Sequence, residues 1–119
     1  MEHRIGNTVA ETASFDRQAA ALWSESEIDE LKSYLAINPM AGDEIQGTGG
    51  LRKLRWSRSG MGKRGGARVI YYFYDDFAPV YLLWAYAKGQ QEDLSSREKA
   101  VLAKAAEILK AALKARRST

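Results

Sequence analysis

The sequence predicts an α+β fold with an N-terminal helix hairpin, an antiparallel twisted sheet of about four strands and a C-terminal helix. Apolar residues recur at a spacing of three to four near both ends of the chain, which indicates amphipathic helices. Between them lie runs of β-branched and aromatic residues, joined by short connections that favour antiparallel pairing. The 119 residues, of which 45% are hydrophobic, fit a single domain spanning residues 1–119.

The first part of the chain predicts an edge strand and two helices. Residues 7–12 are rich in β-branched side chains but form only a short stretch, which is typical of an edge strand. Apolar residues then follow the helical period over residues 15–23. Ser24 and Glu27 have the spacing of a capping box and begin a second helix, which ends before Pro39 because proline cannot extend the hydrogen-bond ladder. Two consecutive helices predict an antiparallel hairpin.

A glycine-rich loop at residues 40–50 leads to three predicted strands, at residues 51–56, 67–74 and 80–86. In the first of them, alternation places Lys53 and Arg55 on one face and Arg52 on the other. Residues 75–79 join the second and third strands. A connection this short predicts an antiparallel hairpin.

The C-terminal helix has the clearest pattern in the sequence. Ser95 and Glu98 have the spacing of a second capping box, which marks the beginning of the helix. Apolar residues then repeat at helical spacing and predict one continuous stripe: Val101, Leu102, Ala105, Ile108, Leu109, Ala112 and Leu113. We expect this stripe to be the face that packs on the sheet.

Positive charge is concentrated in the middle of the chain. Between Leu51 and Arg68 there is no Asp or Glu, but there are seven cationic residues: Arg52, Lys53, Arg55, Arg58, Lys63, Arg64 and Arg68. The formal net charge is only +3, so the remainder of the chain sums to −4. A block of one sign attracts polyanions, whereas an ordinary solvated surface mixes both signs. The stretch therefore predicts a site for a phosphate-rich ligand.

Several classes of chemistry are disfavoured by composition. The chain has no cysteine, which excludes disulfides, thiolate metal ligands and a thiol nucleophile. His3 is the single histidine and has no carboxylate-histidine pattern near it, so we expect neither a metal site nor a cofactor. No segment has the length of a membrane span, and the N-terminus lacks the apolar run of a signal peptide. We therefore expect a cytoplasmic protein with no membrane partner.

The cationic residues fall on neighbouring strands. Lys53 and Arg55 share one strand face, and Arg68 begins the next strand across a basic, glycine-rich loop. If the two strands pair, all three charges can converge on one phosphate. Such a cluster would stabilise the extra negative charge of a phosphorane transition state through charge-assisted hydrogen bonds. The alternative is a surface that docks phosphate groups without cutting the chain that carries them.

Three separated segments carry a family likeness. The runs GTGGLRKLRW (residues 47–56), GKRGGARVIYY (62–72) and YLLWAYAKGQQEDLS (81–95) closely resemble the RelE/HigB family of type II toxin-antitoxin toxins, especially its HigB-like branch. The likeness covers roughly residues 38–97. It implies a small α+β toxin that enters the ribosomal A site and cuts mRNA without a metal. The 2′-hydroxyl of one nucleotide would attack the adjacent phosphate, leaving a 2′,3′-cyclic phosphate and a 5′-hydroxyl.

The resemblance also implies roles for individual residues. Lys53 and Arg55 fall on the two basic positions of the family's active strand, Arg68 falls on its phosphate-binding arginine, and Lys88 falls where the family supplies another catalytic or phosphate-contacting group. Glu92 is a further catalytic candidate. We assign RNA binding to the other cationic residues of the cluster: Arg52, Arg58, Lys63 and Arg64.

This sequence departs from the family pattern in three places, one of which is Arg55, where a lysine that could act as a base is expected. Gly89 stands where an arginine is expected, and Leu94 with Ser95 stands about where a catalytic tyrosine is expected. Arg55 cannot act as a base, because a guanidinium is effectively never deprotonated. As a hypothesis, Lys53 with a lowered pKa acts as the base, and Lys88 or Glu92 assists the leaving group.

The resemblance implies a set of partners, and two alternatives stay open. A cognate antitoxin, of the helix-turn-helix type, would hold the toxin inactive; the ribosome and mRNA would be its targets, and operator DNA would be bound only through the antitoxin. The first alternative is an RNA- or ribosome-binding module that blocks translation without cutting. The second is a ParE-like gyrase inhibitor on the same fold, which the basic strand disfavours.

Overall fold

A computed structural model of the chain describes residues 6–58 and 66–117. Within them it contains three helices and five strands that form one sheet in the order β1-β5-β4-β3-β2. In chain order the elements are β1 (Val9–Glu11), α1 (Ala13–Leu22), α2 (Glu25–Ile37), β2 (Asp43–Glu44), β3 (Leu51–Trp56), β4 (Ala67–Tyr72), β5 (Val80–Ala87) and α3 (Ser96–Arg117). The α+β class is confirmed.

The sheet differs from the prediction in two respects. It is mixed rather than antiparallel, because β1 pairs with β5 in parallel, with Val9 opposite Val80. It also gains a second edge strand, β2, within the segment predicted as a loop. The edge strand predicted within residues 7–12 is present as β1, whereas β2 has only two residues and shows no local strand pattern. The pairing of each depends on a neighbouring strand: β1 pairs with β5, which is distant in sequence, whereas β2 pairs with β3, the next strand along the chain.

Local signals set the helix ends as predicted. In α2, the Glu27 N–H donates to Ser24 Oγ at 3.2 Å while the Ser24 N–H donates to Glu27 Oε1 at 2.9 Å. The same reciprocal bonds join Ser95 and Glu98 at the start of α3, at 3.0 and 2.9 Å. Each box satisfies two N–H groups that a helix would otherwise leave without partners. The C-cap of α2 is Asn38, directly before proline.

Helices α1 and α2 cover one side of the sheet, which we call the closed face. Phe15 of α1 and Leu31 and Leu35 of α2 are fully buried there. They pack against alternate residues of β4 and β5, namely Ala67, Val69, Tyr71, Val80, Leu82 and Ala85. Alternation along the strands therefore gives the closed face an apolar core.

Helix α3 covers part of the opposite side, which we call the α3 face. Leu102, Ala106 and Leu113 are its buried residues. They belong to a second core with residues of β3, β4 and β5, namely Leu51, Ile70, Tyr72, Leu83 and Tyr86. The predicted apolar stripe is thus only partly correct, because Val101 and Ile108 remain 61% and 59% exposed. None of the helices in the described part of the chain has both the length and the apolar character needed to cross a bilayer.

A β-bulge in β5 decides which side chains reach the α3 face. Ile70 is opposite Trp84 and Tyr71 is opposite Leu82, so Leu83 is an extra residue with no partner in β4. Leu83 and Trp84 consequently both belong to the core under α3. Because the bulge shifts the alternation by one residue, each side chain of β5 after it points to the face opposite to the one that regular alternation would give. Tyr86 is thereby placed on the α3 face.

Candidate functional site

Three polar residues form a row across the three middle strands, near one end of each strand. Arg55 of β3 is opposite Arg68 of β4, and Arg68 is opposite Tyr86 of β5. Residues opposite each other in a sheet point to the same side, with Cβ atoms about 4.5–5.5 Å apart. The row lies on the α3 face, since Tyr86 belongs to the core under α3. Lys53 lies on the same face, two residues before Arg55.

The two guanidinium groups of the row have no acidic partner within residues 6–58 and 66–117. Arg55 is exposed, and Arg68 is half-buried and makes a 3.5 Å hydrogen bond to the Ala67 carbonyl oxygen. Like charges directly opposite each other in a sheet destabilise it, by roughly 0.2–1 kcal/mol. An anion bound between the two side chains would remove this repulsion and gain charge-assisted hydrogen bonds from both. The register of the sheet thus makes this pair a candidate anion site.

Asp93 lies beside this row and connects Tyr86, a member of the row, to Lys53. Its Oδ1 is 3.3 Å from Lys53 Nζ and 3.4 Å from the hydroxyl of Tyr86. The backbone N–H of Leu94 donates to the same oxygen at 2.8 Å. Lys53, Asp93 and Tyr86, which we call the Asp93 cluster, therefore bring an ammonium, a carboxylate and a phenol together beside the two arginines.

The environment fixes the protonation states of two groups in the Asp93 cluster. Burial, with the nearby carboxylate of Asp93 as the next cause, raises the pKa of Tyr86 to about 12. Arg68 acts against this shift but does not cancel it. The hydrogen bond from the Leu94 N–H is the main cause that lowers the pKa of Asp93, with a smaller contribution from Lys53. At neutral pH, Tyr86 is therefore a hydrogen-bond donor and Asp93 is an ionised acceptor.

The two other predicted catalytic residues lie beyond the end of β5. Lys88 is exposed, and its backbone N–H donates to the Gly66 carbonyl oxygen at 3.3 Å. Glu92 is exposed and makes no hydrogen bond or ion pair within the described ranges. The structure brings Lys53, Arg55 and Arg68 together, as predicted, and leaves Lys88 and Glu92 near the turn that follows the last strand.

Two of the predicted RNA-binding residues donate to protein carbonyl groups instead. The guanidinium of Arg52 donates to the Gly42 oxygen at 2.7 Å and to the Met40 oxygen at 3.3 Å, and its side chain is only 16% exposed. Arg58 Nε donates to the Leu22 oxygen at 3.2 Å. Both arginines thus tie β3 and the segment after it to the rest of the fold, so RNA binding by them remains a prediction.

The basic loop lies outside the described residues. It contains the other two predicted RNA-binding positions, Lys63 and Arg64. His3 also lies outside. Among the described residues, no three His, Cys, Asp or Glu side chains come close enough together to hold a metal ion.

Two residues of this arrangement, Tyr86 and Asp93, were not predicted from the sequence. Tyr86 has no local signal, because only the bulge in β5 moves it to the same face as Arg68. Asp93 had a weak signal, since it stands two residues before the capping serine of α3, where the chain must turn back over the sheet. Its neighbour Glu92 was chosen instead, and only the conformation of this turn distinguishes the two carboxylates.

One comparison with known proteins bears on this arrangement. A family model described as the RelE toxin of the RelE/RelB toxin-antitoxin system matches residues 8–117. The match includes every described helix and strand and all residues of the row and of the Asp93 cluster.

Proposed function

The chain belongs to the RelE toxin family, and from that premise we propose that it is a ribosome-dependent endoribonuclease that cleaves mRNA in the ribosomal A site. Membership makes it a toxin of a toxin-antitoxin system and implies a cognate antitoxin of the RelB type. That the antitoxin has a helix-turn-helix domain, and that the toxin is of the HigB-like branch, are part of the proposal.

The observation that carries the proposal is the pair Arg55 and Arg68. They lie opposite each other on the α3 face with no acidic partner among the described residues. A structural role does not explain them, because their mutual repulsion works against folding. A scissile phosphate placed between them would be bound by two guanidinium groups. Each group also stabilises the additional negative charge that develops during in-line attack.

The reaction uses the RNA itself as nucleophile. The 2′-oxygen loses its proton and bonds to the adjacent phosphorus, the bond from phosphorus to the 5′-oxygen breaks, and that oxygen takes up a proton. The products are a 2′,3′-cyclic phosphate and a 5′-hydroxyl. Since the nucleophile comes from the substrate, the protein needs only to orient the phosphate, stabilise charge and move protons.

We assign the proton transfers to the Asp93 cluster and its surroundings. Lys53 is the proposed base, as in the sequence hypothesis. The 3.3 Å ion pair with Asp93 holds its ammonium group beside the row, and Lys53 must lose a proton before it can act as the base. Tyr86 retains its proton at neutral pH and donates it in a hydrogen bond to Asp93 Oδ1 at 3.4 Å; to donate to a phosphate oxygen instead, it would have to exchange that partner. Lys88 or Glu92 would assist departure of the 5′-oxygen from the turn beyond β5.

The remaining cationic residues would hold the rest of the RNA. Lys63 and Arg64 lie in the sequence between β3 and β4, outside the described residues, and are proposed to contact flanking phosphates. For Arg52 and Arg58 this role would require them to leave carbonyl partners or to share them. Because phosphate contacts dominate such binding, affinity for RNA should fall steeply with salt concentration.

Primer extension on a defined mRNA, during inducible expression of the toxin, tests the proposal. The natural chain is compared with the Lys53→Ala/Arg68→Ala variant, and with Lys99→Ala/Lys110→Ala as control. The control removes the same number of positive charges from exposed positions of α3. We expect discrete cuts within translated regions from the natural chain and the control, and a loss of at least about 100-fold in cleavage from the site variant.

Two results would overturn the proposal. Growth arrest with intact mRNA would show that the toxin acts by blocking translation or by inhibiting gyrase, and not by cleavage. A DNA supercoiling assay then distinguishes these two mechanisms. If the Lys53→Ala/Arg68→Ala variant still cuts mRNA, the catalytic site must be formed by other residues.

A further inference from the structure

Helix α3 carries more apolar surface than the sheet covers. Its buried positions Leu102, Ala106 and Leu113 form one face. Val101, Ala105, Ile108 and Ala112 form a second face, which lies roughly 100° around the helix axis because each residue advances by that angle. Val101 and Ile108 are 61% and 59% exposed and Ala112 is exposed. We call these four residues the α3 ridge.

The α3 ridge repeats at intervals of four, three and four residues over about three helical turns, or about 16 Å. Large apolar side chains of a folded protein are usually buried. A regular, exposed apolar stripe is typical of a surface that binds another protein. Ala105 is half-buried, and none of the four ridge residues belongs to either core cluster of the described structure. The presence of the ridge therefore calls for a partner that covers it.

A cavity beside the ridge supplies an anchor point. Trp84 of β5 and Val101 and Leu102 of α3 line it together with Arg97 and Glu98, and its volume is about 160 Å³. Trp84 itself is only partly buried. Interfaces obtain most of their binding energy from a few large side chains that fill such pockets. The cavity is of a size to receive one aliphatic or aromatic side chain.

The charge around the ridge selects the partner. The sequence of α3 holds seven cationic and two acidic residues, a net charge of +5 on one helix against +3 for the whole chain. Arg97 and Lys104 lie along the margin of the ridge, about 40–60° from Val101 around the helix axis. Lys104 forms an exposed ion pair of 3.2 Å with Glu107 on the same helix, which an acidic partner would share or replace. RNA would engage the lysines and arginines but gains nothing from the four apolar side chains. An acidic protein segment gains from both.

We propose that the α3 ridge and the cavity at Trp84 are the docking surface for the cognate antitoxin. The segment that binds is an amphipathic one, with apolar side chains at helical spacing, one large side chain in the cavity, and acidic residues facing Arg97 and Lys104. The proposal rests on the proposed function only in taking the chain to be a toxin with an antitoxin. It places the docking surface on α3, apart from the Arg55 and Arg68 pair.

The test compares two charge-matched variants of the full chain. Val101→Lys/Ile108→Lys adds two lysines on the ridge, and Ala100→Lys/Ala111→Lys adds two at exposed positions of α3 that face away from the cavity. Both are titrated by calorimetry with the antitoxin, expressed from the reading frame that adjoins the toxin's own. The ridge variant should bind about 100-fold more weakly and the control within about threefold of the natural chain.

A second measurement separates docking from folding and from catalysis. Growth arrest by the ridge variant, with no antitoxin present, should match that of the natural chain, while rescue by the antitoxin is lost. Equal affinity of the ridge variant and the natural chain overturns the proposal. The proposal is also overturned if the natural chain is a dimer that the ridge substitutions dissociate while antitoxin binding is unchanged. It is overturned as well if the ridge substitutions change only ribosome binding. If the ridge variant loses antitoxin binding, the control variant does not, and the natural chain leaves mRNA intact, the docking proposal is supported and only the proposed nuclease activity is contradicted.

Discussion

The two faces of the sheet use the same strands for opposite purposes. On the closed face, residues of β4 and β5 are fully buried beneath α1 and α2. On the α3 face, a single helix covers one part of the sheet, and the ends of β3 and β4 that carry Arg55 and Arg68 remain accessible. One face can therefore stabilise the fold while the other keeps unbalanced positive charge within reach of solvent.

Arg52 and Arg55 show the difference most directly. They are three residues apart in β3 and point to opposite faces. Arg52 Nη1 donates to the carbonyl oxygens of Met40 and Gly42, and its Nη2 lies 3.7 Å from Glu44 Oε1, which makes Arg52 part of the fold. Arg55 has Arg68 opposite it. The same side chain is thus structural on one face and a candidate for anion binding on the other.

Replacement of each arginine by methionine should give opposite results, and this is the largest effect we expect. Arg55→Met should slow cleavage of ribosome-bound mRNA by about 100-fold, with stability unchanged or raised by about 0.2–1 kcal/mol as the repulsion with Arg68 disappears. Arg52→Met should lower stability by about 1–2 kcal/mol, because the Gly42 oxygen loses a charged donor. Its cleavage rate per folded molecule should be retained.

Single-turnover cleavage and urea unfolding of the two variants measure these effects. If Arg52→Met also lost cleavage without unfolding, both arginines would belong to the site and the contrast between the faces would be wrong.

Tyr71 offers a test of the closed face. Its buried hydroxyl donates to the Pro39 oxygen and accepts from the Gly42 N–H, both at 2.8 Å. Tyr71→Phe leaves these two buried groups without a partner, so the free energy of unfolding should fall by about 1–3 kcal/mol. The exposed Tyr34 is the control, and Tyr34→Phe should change stability by less than about 0.5 kcal/mol. Cleavage by the folded Tyr71→Phe protein should be normal. Equal urea midpoints for both variants would contradict the structural role of Tyr71.

Asp93→Asn tests the α3 face and has the smallest expected effect. The Asp93 carboxylate competes with RNA phosphate for Lys53. Its removal should therefore tighten RNA binding by a few-fold at low salt, where surface charges are least screened, and slow cleavage because Lys53 is no longer positioned. The lowered pKa of Asp93 keeps the carboxylate ionised at all pH values well above its ordinary value of 3.8. The difference in affinity should consequently be constant from about pH 5 to about pH 8.

Fluorescence anisotropy with a labelled RNA, at several pH values, measures this difference. Weaker binding by Asp93→Asn would show that the carboxylate supports RNA binding rather than opposing it. The control is Glu92→Gln, which removes a neighbouring exposed carboxylate that has no partner in the described ranges and should leave the affinity nearly unchanged.

Most of the fold could be predicted because its signals are local. The bounds of β3 are those predicted, both capping boxes form, and α2 ends at its C-cap, Asn38, before Pro39. These features involve residues at most a few positions apart, so their physics is present in any short segment of the sequence. The parallel pairing of β1 and the strand β2 were not predicted, because short edge strands obtain their stability from a neighbouring strand.

The candidate site divides in the same way. The sequence alone determined the concentration of positive charge and, by alternation, that Lys53 and Arg55 share a face. Only the tertiary structure decided that Arg68 is opposite Arg55, that a bulge brings Tyr86 into the row, and that Asp93 reaches Lys53 across 40 positions of the chain. Register, a shift in alternation and the conformation of a turn all depend on contacts between distant segments, and those contacts exist only once the chain has folded.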